Sequence, residues 1–189
     1  MSSSSSISCD SRSYLRAITY SASTLETSTL LYPVIFEISK IQPNLNKLPV
    51  QTRARYDRLL NTSCYIITNG LNLFLWVGNQ TSDEYIQNVF GLSSASHINI
   101  ENCRPRFELC DTDSNVDIIH LRDSLSLVRQ YYTFSRFMRL QVVRQGDQQI
   151  ENWFKSAFLV EDASPATSHK AYDSFLCDIH SQIREFLSS

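Results

Sequence analysis

"ITNGLNLFLWVGN", Ile67 to Asn79, is the densest apolar stretch in a chain otherwise rich in Ser, Asn and Gln. Asn69-Gly70 is a hairpin dipeptide, because both residues tolerate the positive φ that a tight turn demands. It separates "SCYIIT", Ser63 to Thr68, from "LNLFLWVG", so two antiparallel strands are expected. A strand with one wet face alternates, yet nearly every position from Leu73 to Val77 is apolar. The reading is burial on both faces, which requires helices on both sides of the sheet.

Those helices are legible. "SDEYIQNVFG", Ser82 to Gly91, opens on a Ser cap with early acids and closes on Gly. Ser114 to Tyr132 carries Ile118, Leu121, Leu125 and Val128 at helical spacing, and "DQQIENWFKSAF" predicts a shorter helix. From Ser168 to Leu187, Tyr172, Phe175, Leu176, Ile179, Ile183 and Phe186 form one stripe, expected to face the core. Further strands are predicted in "YPVIFEIS" (Tyr32 to Ser39), "FMRLQVVRQ" and "FLVED"; "KIQPNLNKLPV" reads as a loop with edge pairing and "RARYDRLL" as a short helix. The residues expected to carry the fold are Tyr65, Ile67, Leu73, Leu75, Trp76, Phe175, Leu176 and Ile179.

The chain has 189 residues, 42% of them apolar, enough for one core with extra material at an end. Residues 1–11 form a Ser-rich tail with little to bury and are expected to be disordered. Residues 12–31 carry a weak amphipathic pattern, and 32–189 form the main domain. Seventeen Lys plus Arg against 19 Asp plus Glu leave a net charge of -2, so no global field recruits nucleic acid. "MSSSSSISCD" lacks the features of a secretory signal and no run reaches the roughly 18 apolar residues of a membrane span, so a cytoplasmic protein is expected. Five scattered cysteines without a Cys-x-x-Cys read as free thiols.

Several constellations bear on chemistry. Cys177 and His180 lie three apart on the last helix with Asp173 and Asp178 nearby, which has the look of a thiol nucleophile beside a base. Catalytic pairs usually converge from different elements, however, and Cys177 lies near the apolar stripe, so it reads as a small hydrophobe. His97, His120 and His169 are too dispersed for a zinc site, and "CDTDSN", with Asp111 and Asp113, lacks the Gly and distal Glu of a calcium loop. Four glycines leave no phosphate-cradling loop. Two arginine groups, Arg53, Arg55 and Arg58, and Arg136, Arg139 and Arg144, are the candidate partner surfaces.

The order of these elements is similar to the gelsolin-like fold, a layered α+β (α/β) arrangement with a mixed sheet of about five strands between a long helix and a shorter one. "YIITNGLNLFLWVG" looks like its central hairpin. Further segments, "VVRQGD", "FLVED" and "YDSFLCDIH", with "EYIQNVFGLSSASHINI", "SRSYLRAI" and "LLYPVIFEI" upstream, resemble the C-terminal region of the COPII coat cargo-adaptor subunit, the Sec twenty-four family. On that resemblance residues 12–31 are the remnant of a helical domain and 32–189 a gelsolin-like domain. It implies a non-enzymatic adaptor module in endoplasmic reticulum to Golgi transport, sited at exit sites on the cytoplasmic face with peripheral membrane association. Other coat subunits and cargo tails are the implied partners. No cofactor is implied, since the family's zinc lies in a module with no counterpart here. A gelsolin- or cofilin-like actin-binding module and a cysteine hydrolase are the alternatives. Calcium-binding gelsolin modules carry an Asp at the position matching Ser63, which offers no carboxylate.

Overall fold

The computed structural model describes residues 9–38, 47–99, 103–106, 115–132, 138–161 and 172–188. The elements are α1 (Cys9–Ser21), α2 (Thr24–Leu31), β1 (Val34–Glu37), β2 (Gln51–Thr52), β3 (Cys64–Thr68), β4 (Leu73–Val77), α3 (Asp83–Phe90), α4 (Val116–Tyr132), β5 (Leu140–Arg144), α5 (Gln148–Phe158) and α6 (Tyr172–Ser188). The strands form one sheet in the order β2-β1-β3-β4-β5, antiparallel except for the parallel β4–β5 pair. The mixed, layered α+β gelsolin-like architecture is therefore the one observed.

The hairpin β3–β4 forms the centre, with Thr68 opposite Leu73 and Cys64 opposite Val77. The expected two-residue turn is instead a four-residue loop, Asn69 to Asn72. Asn69 Oδ1 accepts from Leu71 N at 3.1 Å and Asn72 N at 2.9 Å, and Gly70 supplies a φ of 82°. The Asn side chain thus organises the longer loop by capping its amides.

All ten residues of β3 and β4 are buried. Alternation sends Cys64, Ile66, Leu73, Leu75 and Val77 to one face, where they pack with Ile86 and Val89 of α3 and Leu121, Leu125 and Val128 of α4. It sends Tyr65, Ile67, Phe74 and Trp76 to the other, against Phe154 and Phe158 of α5. Helix α3 is held by Ser82 Oγ, which accepts from Tyr85 N at 3.2 Å, and ends at Gly91 with φ 73°. Helix α2 opens with a capping box between Ser23 and Glu26 and packs on α4.

Four expectations need correction. Helix α1 starts at Cys9, within the stretch expected to be disordered. "RARYDRLL" contributes only one 3-10 turn, Tyr56–Arg58. The described residues of "FLVED" make no strand: Phe158 ends α5, and Leu159 to Glu161 leave it as a turn with Glu161 N donating to Ala54 O at 3.2 Å, while Asp162 lies outside the described residues. Finally, Phe175, Leu176 and Ile179 do not lie in the core; they are 51%, 44% and 38% exposed, with Ile183 and Phe186 beside them on α6. The sheet's two faces are already covered by α3, α4 and α5, so the stripe on α6 has no remaining sheet surface to bury.

His120 is buried on α4, within reach of the main chain of Ile38. Burial pushes its pKa below the usual value, against the pull of Asp117 and Asp123. A depressed folded pKa means that the unfolded chain takes up the proton first. This stability is therefore present above about pH 6.5 and lost as pH falls through the lower folded value. The melting temperature is expected to fall by a few degrees between pH 7 and pH 5, with a shallower slope for His120→Gln in parallel scans.

Candidate partner surfaces

The first arginine group gathers where β2 leaves the sheet. Tyr32, Gln51, Thr52, Arg53 and Arg58 line a concavity of about 450 Å³. Glu161 anchors its wall: Oε1 accepts from the Tyr32 hydroxyl in a short hydrogen bond and from Arg53 Nε at 3.1 Å. Ala54 N donates to the Tyr32 oxygen at 3.5 Å, tying the cluster to the chain after β2. The carboxylate is buried, and its Oε2 lacks a partner among the described residues. Arg55 turns instead to Asp57, with contacts of 3.1 and 3.0 Å, and Arg58 stands 4.0 Å from the same carboxylate. Arg53 and Arg58 therefore share one concavity, and Arg55 does not line it.

Burial, and then the hydrogen bond to Glu161, raise the Tyr32 pKa above its ordinary value. Glu161→Ala should remove the acceptor of the half-buried Tyr32 hydroxyl and of Arg53 Nε, and cost about 1–3 kcal/mol in denaturant unfolding. With one upward influence removed, the Tyr32 phenol is expected to titrate at lower pH, as absorbance at 295 nm would show against Tyr32→Phe.

The second group is divided. Arg136 lies outside the described residues. Arg139 is exposed and lines a concavity of about 240 Å³ beside β5, together with Arg104. Arg144 donates to Ser96 O, fastening the end of β5 to the turn after α3. Arg104, Tyr32 and Glu161 were not among the residues the sequence marked for these surfaces. Only the separate motif "FLVED" drew attention to Glu161, without suggesting a carboxylate for Arg53.

Ser63 is buried and donates to Glu37 Oε1 at 3.1 Å, an ordinary hydrogen bond in the place of a calcium carboxylate. Among the described residues no group of three His, Cys, Asp or Glu is placed to hold a metal, and no helix is long and apolar enough to cross a membrane. Cys64, fully buried 3.8 Å from Thr81 Oγ1, has its thiol pKa pushed up to about 12 by burial, which keeps it an unreactive thiol. Cys177 and His180 both stand exposed on α6 and form no hydrogen bond with one another.

The family model for the gelsolin repeat matches residues 45–117. The human (Homo sapiens) protein transport protein Sec24C is 36% identical over 182 residues, which are 96% of this chain and 16% of that protein. Human Sec24D is 30% identical over 96% of this chain and 17% of its own length. The SEC24 protein of Dictyostelium discoideum is 27% identical over 76% of this chain and 13% of that protein. The crystal structure of the human COPII-coat protein Sec24c matches with a TM-score of 0.80 at 33% identity, covering 97% of this chain and 23% of that one. The chain thus spans about one sixth of the two human relatives, 16% and 17% of their lengths. A likeness that runs through nearly the whole chain in both sequence and structure makes it a member of the Sec24 family, corresponding to that family's C-terminal region and built around a gelsolin-like domain.

Proposed function

We propose that this chain is a non-enzymatic structural and adaptor module of the COPII vesicle coat, acting in transport from the endoplasmic reticulum to the Golgi. The observation that carries the reading is the match to human Sec24C over 96% of the chain, supported by the likeness to the Sec24c crystal structure. Residues 32–189 serve as the gelsolin-like domain and residues 12–31 as the end of a helical domain. The work is done by binding: the two-sided sheet is a rigid platform, and the Arg53–Arg58 and Arg139 surfaces meet coat partners or cargo tails. The apolar stripe of α6 packs against the helical layer of a coat subunit. No metal or cofactor takes part, and the module sits on the cytoplasmic face at exit sites, in peripheral association with the membrane.

Expressed with a small tag in cultured cells, the chain is expected to coincide with exit-site markers and to recover COPII coat proteins on gentle isolation. A diffuse distribution with no coat protein recovered contradicts the proposal. Pelleting with actin filaments, in a calcium-dependent manner, would instead favour a gelsolin-type activity.

A further inference from the structure

The sheet ends on β5, and among the described residues no strand pairs with its outer side. Gln145 N donates to Val77 O at 2.9 Å, so the main-chain groups of Gln141, Val143 and Gln145 face β4. By alternation those of Leu140, Val142 and Arg144 face away from the sheet. The concavity of about 240 Å³ runs along this outer side, with Arg139 to Val143 as its floor and Cys103, Arg104 and Ile150 as its walls. Cys103 packs with the α3/α4 layer and Ile150 with the α5 layer. The concavity therefore straddles the sheet edge instead of lying on either face, which is the shape of a slot for a strand.

We infer that the outer edge of β5 takes up an extended, acidic segment of another polypeptide as a sixth strand. Leu140 and Val142 each turn a donor and an acceptor outward for main-chain pairing, and Arg144 adds its N–H, its carbonyl accepting from Asp147 N at 3.3 Å. Among the described residues the lining includes two arginines, Arg104 and Arg139, and no acidic side chain, and Arg144 adds a third cation at the strand's end. Carboxylates flanking the incoming strand meet these charges at both ends of the slot. A second copy of the chain offers no such match, because its own edge presents the same cations instead of carboxylates.

The probe is a fluorescein-labelled peptide of alternating Val and Thr with two Asp at each end, followed by fluorescence anisotropy on the full chain. Binding is expected, at least tenfold weaker for a Lys-ended peptide and for one N-methylated at every central amide. Arg104→Glu combined with Arg139→Glu changes two exposed positions, should leave the melting curve in place, and should reverse the preference towards the Lys-ended peptide. Absence of binding by the acidic peptide overturns the inference, as does binding indifferent to N-methylation. A concentration-dependent dimer that excludes the peptide also overturns it and assigns the edge to self-association.

Discussion

Gly78→Ala is expected to abolish the cooperative unfolding transition, or to leave a product that partitions into the insoluble fraction. A Cβ on Gly78 would lie 2.2 Å from Asn61 O and 2.5 Å from Asn61 C, so it would collide with backbone. Asn61 has little room to retreat, because its carbonyl accepts from Gln80 N at 2.8 Å while Gly78 N donates to Ser63 O at 3.1 Å. These bonds clamp the entry of β3 to the exit of β4, and relieving the collision means opening the central hairpin. The cost is roughly 4 kcal/mol or more, in the range reserved for severe steric faults. Gly146→Ala is the control: its φ of 90° disfavours a side chain, but nothing lies within 4 Å of the added carbon. It should cost about 1–2 kcal/mol, from backbone strain alone. Comparable small losses for both variants in denaturant unfolding would show that the close approach is not as tight as described.

Trp76→Ala should cost about 3–5 kcal/mol, a large part of the stability of a domain this size. The indole is fully buried against Tyr65, with ring centroids 5.7 Å apart in an edge-on arrangement. Its Nε1 is buried and finds no hydrogen-bond partner among the described residues, so Trp76→Phe loses volume but also removes that donor and should be milder, about 1–2 kcal/mol. Phe175→Ala, by contrast, should shift stability by no more than about 0.5 kcal/mol in this chain, because the ring is half exposed. A sharp, unchanged melting curve for Trp76→Ala would overturn the core assignment. A large loss for Phe175→Ala would return α6 to the core.

The contrast between Trp76 and Phe175 shows what the sequence could reveal. A continuous apolar run such as Leu73 to Val77 reports two-sided burial directly, because alternation leaves no other way to hide both sets of side chains. An amphipathic stripe such as Phe175, Leu176 and Ile179 reports only that one helix face is apolar, not what covers it. "FLVED" failed for a related reason, since a short apolar run suits the end of a helix as well as a strand. The arginine groups were visible as composition, but Glu161 lies 108 residues from Arg53 and only the fold brings them together. The edge of β5 was legible as a strand, while its position at the end of the sheet emerges only from the β2-β1-β3-β4-β5 order.

A chain that serves as a coat module should be interchangeable with the corresponding region of a COPII coat subunit. The direct measurement is a chimera in which these 189 residues replace the matching C-terminal region of human Sec24C, assayed in a reconstituted vesicle-budding reaction. The expected result is a soluble subunit that enters the coat and supports budding within a few fold of the parent. A chimera that folds, with a normal melting transition, yet fails to enter the coat would contradict the assignment.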